Sequence, residues 1–164
     1  YMVRNSENFI IEACEYVESF LKFSPKAEII LNIDNDHLDY FKTFENIKNA
    51  FIKYVKLLPD NGVLVVNRDD LNCFDLISYT NATPITYSIE NKKADFYAEN
   101  IIFDCDGFAE FDVYHKGELF DRIKLSVPGI HNVSDALACI ALCTQYEIEK
   151  VAIKSALLKF TRCS

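Results

Sequence analysis

The sequence predicts an α/β fold: a mostly parallel sheet flanked by helices, followed by a small antiparallel sheet. Three observations predict it. Residues 9–14, 27–33, 62–67 and 84–89 are short apolar runs (FIIEAC, AEIILNI, GVLVVN, PITYSI), as expected of strands covered on both faces. Helical spacing fills the longer gaps between them, which is the alternation of a doubly wound sheet. From residue 94 the pattern changes to strands joined by tight turns with no room for a helix.

The elements follow in order. Residues 9–14 and 27–33 are the first two expected strands. Thr43 is a cap for a helix running to about Leu58, because Phe44, Ile47, Ala50, Phe51, Tyr54, Val55 and Leu58 share one helical face. Glu45 suits the positive end of that helix. Pro59-Asp60-Asn61-Gly62 stops it. The third strand, 62–67, ends in the polar run Asn67-Arg68-Asp69-Asp70. A short helix at 69–77 and a strand at 84–89 come next. Residues 94–127 then hold three strands, broken at Cys105-Asp106-Gly107 and at Lys116-Gly117. Pro128-Gly129 ends this part, and two helices, 132–146 and 147–160, finish the chain.

Composition bounds the function. The chain has 164 residues, half of them apolar and about a quarter charged, which fits one soluble domain with a real core. A net charge of −8 argues against nucleic acid held by a broad basic face. No apolar run is long enough to span a membrane, and no signal peptide opens the chain. The six cysteines, at 14, 73, 105, 139, 143 and 163, contain no CxxC pair, so reduced thiols in a cytoplasmic protein are expected. Cys139 and Cys143 share a helical face and read as two small core residues. Both ends read as cuts, so a domain excised from a longer protein is expected over 1–164.

The chemistry-bearing residues sit at predicted strand ends, where ligands bind in open α/β sheets. Glu12 closes the first apolar run. It reads equally well as a ligand for a hard cation or as a solvated strand end. His37 lies in Asp34-Asn35-Asp36-His37-Leu38-Asp39, where a flanking carboxylate can orient the imidazole. An Asp- and Asn-rich capping loop is the alternative. His131-Asn132 follows Pro128-Gly129-Ile130 and opens a helix. Asn132 offers the donor and acceptor that an adenine edge would pair with, or serves as a plain N-cap. His115 stands beside a hairpin turn and is expected at the surface. With four glycines, at 62, 107, 117 and 129, the chain has no GxxxxGK[ST] phosphate loop.

Three stretches, in this order, resemble the central domain of the Mur ligases. They are Glu12-Ala13-Cys14-Glu15 with Ser19-Phe20-Leu21, then Asn32-Ile33-Asp34-Asn35-Asp36-His37-Leu38-Asp39, then Gly129-Ile130-His131-Asn132-Val133-Ser134-Asp135-Ala136-Leu137-Ala138. The resemblance spans essentially the whole chain and is nearest to the alanine-adding branch. It implies an ATP-dependent ligase of peptidoglycan precursor synthesis, joining L-alanine to UDP-N-acetylmuramate through an acyl phosphate. It implies Mg2+ on Glu12 and His37, both also catalytic, and ATP against His131, Asn132 and Asp135. Asp135 stands where the family has asparagine, and an ionised aspartate accepts but does not donate. The resemblance places the phosphate loop upstream and a C-terminal domain downstream, so the chain alone is expected to be inactive. Muropeptide-recycling ligases, folylpolyglutamate synthase-like enzymes and a non-catalytic interaction module on the same scaffold are the competing readings.

Overall fold

The computed structural model describes residues 8–161. Six strands form one sheet in sequential order: β1 (Ala27–Ile30), β2 (Val63–Asn67), β3 (Thr83–Ser88), β4 (Phe96–Phe103), β5 (Phe108–His115) and β6 (Glu118–Pro128). The pairs β1–β2 and β2–β3 are parallel, in the registers Ala27↔Val63 and Val63↔Thr83. β4–β5 and β5–β6 are antiparallel.

Strand β2 shows why its sequence is an unbroken apolar run. Val63 and Val65 enter a core shared with β3–β6 and the last two helices. Leu64 and Val66 enter a second core on the opposite face. Burying such a side chain contributes roughly 1.5–3 kcal/mol, so both faces of β2 stabilise the sheet. β5 differs. Ala109, Phe111 and Val113 are buried and their neighbours are half-exposed, the alternation of a strand with one wet face.

The first core is closed by α4 (Ile130–Gln145) and α5 (Lys150–Lys159). The second is covered by α2 (Phe44–Val55) together with a 3-10 segment, Tyr16–Lys22, whose Phe20 stacks on Tyr54 at 4.3 Å between centroids. Two shorter helices, α1 (Leu38–Phe41) and α3 (Leu71–Asp75), sit just after β1 and β2. Thr43 caps α2 as expected, accepting from the Asn46 amide at 3.3 Å.

Several expectations need correcting. Residues 9–14 form no strand; 8–15 carry no regular secondary structure, and Phe9, Ile10 and Ile11 are exposed. A strand exists only with a ladder partner, and no described strand pairs with this stretch. The second strand is shorter than 27–33, because its ladder stops at Ile30. The antiparallel part is not a separate sheet. β4 joins β3 in parallel through Tyr87↔Phe96 and Ser88↔Tyr97, so one mixed sheet results. Asp95 makes that junction: its carboxylate accepts from the Thr86 amide at 2.8 Å and the Thr86 hydroxyl at 2.7 Å. His115 is half-buried rather than at the surface. Its ring stacks on Phe96 at 4.2 Å, and burial holds its pKa below the ordinary imidazole value.

Candidate active site

The carboxyl ends of β1 and β2 are tied together by polar side chains. Asn67 donates to the Leu31 carbonyl at 3.1 Å. Asp70 accepts from the Ile33 amide at 3.1 Å and, through its other oxygen, from the Asn72 and Cys73 amides that open α3. Asp69 accepts from the Ile89 amide at 2.8 Å and from the Ser88 hydroxyl. The run after β2 therefore clamps the ends of β1, β2 and β3, and fixes where the loop after β1 leaves the sheet.

That loop delivers His37. Ile33 is buried and anchors it, while residues 34–40 are exposed. His37 adopts the left-handed conformation (φ 56°, ψ 37°) and caps α1, its carbonyl accepting from the Tyr40 and Phe41 amides at 3.0 and 2.9 Å. A left-handed histidine is uncommon outside such turns, and here it aims the ring back toward the 3-10 segment. Nε2 lies 3.3 Å from Glu15 Oε1. The ring also packs on Tyr16, with centroids 4.8 Å apart, and Tyr16 reaches Asp39 at 3.4 Å through its hydroxyl.

Glu12 is exposed, three residues before Glu15, in the irregular stretch 8–15. Among the described residues no hydrogen bond or ion pair joins it to His37. Glu15 is the carboxylate that meets the imidazole, and sequence reasoning passed over it although it stands in the same Glu-Ala-Cys-Glu stretch. One carboxylate and one exposed imidazole suit an open magnesium site, whose other positions go to water and phosphate oxygens. Among the described residues no cluster of three or more His, Cys, Asp or Glu side chains is placed to hold a metal. A groove of about 240 Å³ opens nearby, lined by Glu18, Tyr40, Phe41, Asn46, Asn49 and Lys53; neither Glu12 nor His37 lines it.

The second candidate stretch opens α4, at the junction with β6. Gly129 is the N-cap at φ 101°, and a Cβ there would come 2.6 Å from the His131 ring. Glycine is therefore required on conformational grounds, and a larger residue would also turn the exposed His131 ring aside. Asn132 is not a side-chain cap. Its Nδ2 donates to the Pro128 carbonyl at 2.7 Å and lies 3.0 Å from His131 Nε2. His131, Asn132 and Asp135 are thus grouped on the first turns of one helix. Partial desolvation raises the Asp135 carboxyl above its ordinary range, with His131 opposing.

Residues 1–143 match the Mur ligase middle domain family. UDP-N-acetylmuramate–L-alanine ligase of Caldicellulosiruptor bescii is 46% identical over 165 residues, covering 100% of this chain and 36% of that protein. Among solved structures, MurF from Acinetobacter baumannii superposes with a TM-score of 0.77 at 20% identity, covering 90% of this chain and 32% of that one. The UDP-N-acetylmuramate–alanine ligase MurC from Thermotoga maritima superposes at 0.73 with 27% identity, covering 87% and 31%. The chain spans about a third of the length of the curated relatives it matches. No helix among the described residues is long and apolar enough to cross a membrane. With its mixed six-stranded sheet, its histidine-bearing loop after β1 and its His-Asn turn at the start of α4, the chain belongs to the Mur ligase middle domain family.

Proposed function

We propose that the chain is the nucleotide-binding part of an ATP-dependent ligase that joins L-alanine to UDP-N-acetylmuramate, in cytoplasmic assembly of peptidoglycan precursors. One observation carries this reading: 46% identity along the whole chain to an enzyme of that name. Fold likeness does not choose among Mur ligases, since MurF superposes at least as well as MurC. Sequence identity does, and it favours the alanine-adding reaction over muropeptide recycling.

Within that reaction this chain's residues hold and orient. His37 offers an exposed imidazole at a fixed turn, with Glu15 beside it and Glu12 a few residues upstream. These are the side chains that would hold magnesium, Glu12 and His37 as ligands with Glu15 orienting the ring. A bound magnesium ion would neutralise charge on the phosphates during phosphoryl transfer. At α4 the Asn132 amide nitrogen is engaged by Pro128, so its carbonyl oxygen remains to accept from an adenine amino group. Asp135, one turn on, adds a second acceptor. Two acceptors and no donor suit the exocyclic amine better than the ring nitrogens.

The test uses the full-length enzyme. ADP release should require both UDP-N-acetylmuramate and L-alanine. His37→Ala should lower kcat at least 100-fold while leaving the melting temperature within about 1 °C, because an exposed loop imidazole buries little apolar area and one charge-stabilising contact is worth roughly 10²–10³ in rate. Normal turnover in that variant would overturn the assignment of His37. ADP release supported by another amino acid or a peptide, and not by L-alanine, would overturn the substrate.

A further inference from the structure

The α4 face carries a feature that the ligase reading does not use. Cys139 and Cys143 are four residues apart on this helix, with their sulfurs 4.0 Å apart. Sequence reasoning placed both in the core. Cys143 is half-buried and packs against the first core, as expected, whereas Cys139 is exposed; Ala138, Ile140 and Ala141 take the inward positions. The helix thus carries one exposed and one half-buried cysteine on neighbouring turns. We infer that Cys139 and Cys143 form a two-thiolate site for one soft divalent cation of the zinc and cadmium class, on the outward face of α4.

The sulfur spacing distinguishes this from the other chemistry two thiols can perform. A disulfide needs sulfurs about 2.05 Å apart, about half the present separation, so the thiols would have to move well toward each other. Two thiolates on a tetrahedral zinc ion, each about 2.3 Å from the metal, sit about 3.8 Å apart. The pair is already within a few tenths of an ångström of that edge. An α-helix rises 1.5 Å per residue, so residues four apart stand about 6 Å apart along the axis on neighbouring turns. The backbone supplies this spacing without strain. Binding replaces both thiol protons, M2+ + 2 RSH → M(SR)2 + 2 H+, so affinity rises with pH. Only two protein ligands are present, and water completes the coordination shell. The nearest carboxylate in the same helical stripe is Asp135, one turn before Cys139, and it is not placed with the two sulfurs as a third ligand.

Cadmium titration of the purified chain tests this, read by the ultraviolet thiolate-to-cadmium charge-transfer band. The band should saturate at one cadmium per chain. Cys139→Ser and Cys143→Ser should each weaken binding at least tenfold. Cys105→Ser, at another exposed cysteine, should leave it unchanged. Melting curves identify any variant that has lost its fold. For such a case, cadmium protection of the unmodified chain against iodoacetamide, mapped by peptide mass, gives an independent readout, with Cys139 and Cys143 shielded together. A band of equal affinity in a chain carrying both Cys139→Ser and Cys143→Ser would overturn the site. So would alkylation of both sulfurs at the same rate with and without cadmium. Neither outcome bears on the ligase reading, since none of its residues is changed.

Discussion

Glu28 is the residue least at ease in this fold. It lies on β1, is 3% exposed, and points into the core that contains Phe20 and Ile30. Neither carboxylate oxygen has a hydrogen-bond partner among the described residues. Desolvation pushes its pKa up to about 8, and burial together with Glu28 raises the Tyr54 phenol to about 12. Between pH 4.5 and about 8 the folded chain keeps a proton on Glu28 that the unfolded chain has lost, so stability falls as pH rises through that window and levels off above it. The full loss is up to about 4–5 kcal/mol. Glu28→Gln should therefore unfold at higher urea than the parent at pH 8, with the gain shrinking toward pH 5. Equal midpoints at pH 8 would show that the carboxylate is solvated in the folded state.

At the scale of elements, the clamp after β2 matters more than any single cap. Asp70 opens α3 through two backbone amides and also accepts from Ile33, on the loop that carries His37. Losing a cap costs about 1 kcal/mol, and leaving a part-buried amide unpaired adds about 1–3 kcal/mol. Asp70→Ala should destabilise the chain by about 2–4 kcal/mol in urea unfolding. Asp70→Asn, which keeps one acceptor oxygen, should recover a good part of that. In the full-length enzyme the alanine variant should also lower turnover, since it releases the loop that positions His37. Loss of less than about 1 kcal/mol would mean that the loop is held by Asn67 alone.

At the scale of the molecule, protection should be graded across the sheet. β2 and β3 have neighbours on both edges and cover on both faces, whereas β1 pairs only with β2 among the described residues. Local opening is least favourable where burial and ladder bonds coincide. Native-state hydrogen exchange should find the slowest amides at Val65, Val66 and Tyr87, and the fastest at 8–15. Protection of 8–15 equal to that of Val65 would mean that this stretch has found a strand partner after all.

The sequence by itself determined whatever depends on neighbours within a few residues. The apolar runs that became β1, β2 and β3, the helix after Thr43 and the turns at Gly107 and Gly117 all have their causes in local period and turn chemistry. The candidate ligands His37 and Asn132 could be picked out because each stands beside a local break. Tertiary structure decided the rest. Residues 9–14 have the composition of a strand and are not one, because a ladder needs a partner distant in sequence. The parallel and antiparallel parts became one sheet through two residue pairs at the ends of β3 and β4 and one carboxylate, Asp95. His37 meets Glu15 rather than Glu12 because a left-handed turn sets the direction of the ring, and no pattern in the sequence encodes that direction. Cys139 faces outward because the rotation of α4 on the sheet, fixed by Val133, Leu137, Ile140 and Ala141, leaves that side of the helix uncovered. Local chemistry set the elements, and contacts between residues far apart in the chain set which of their faces are free to act.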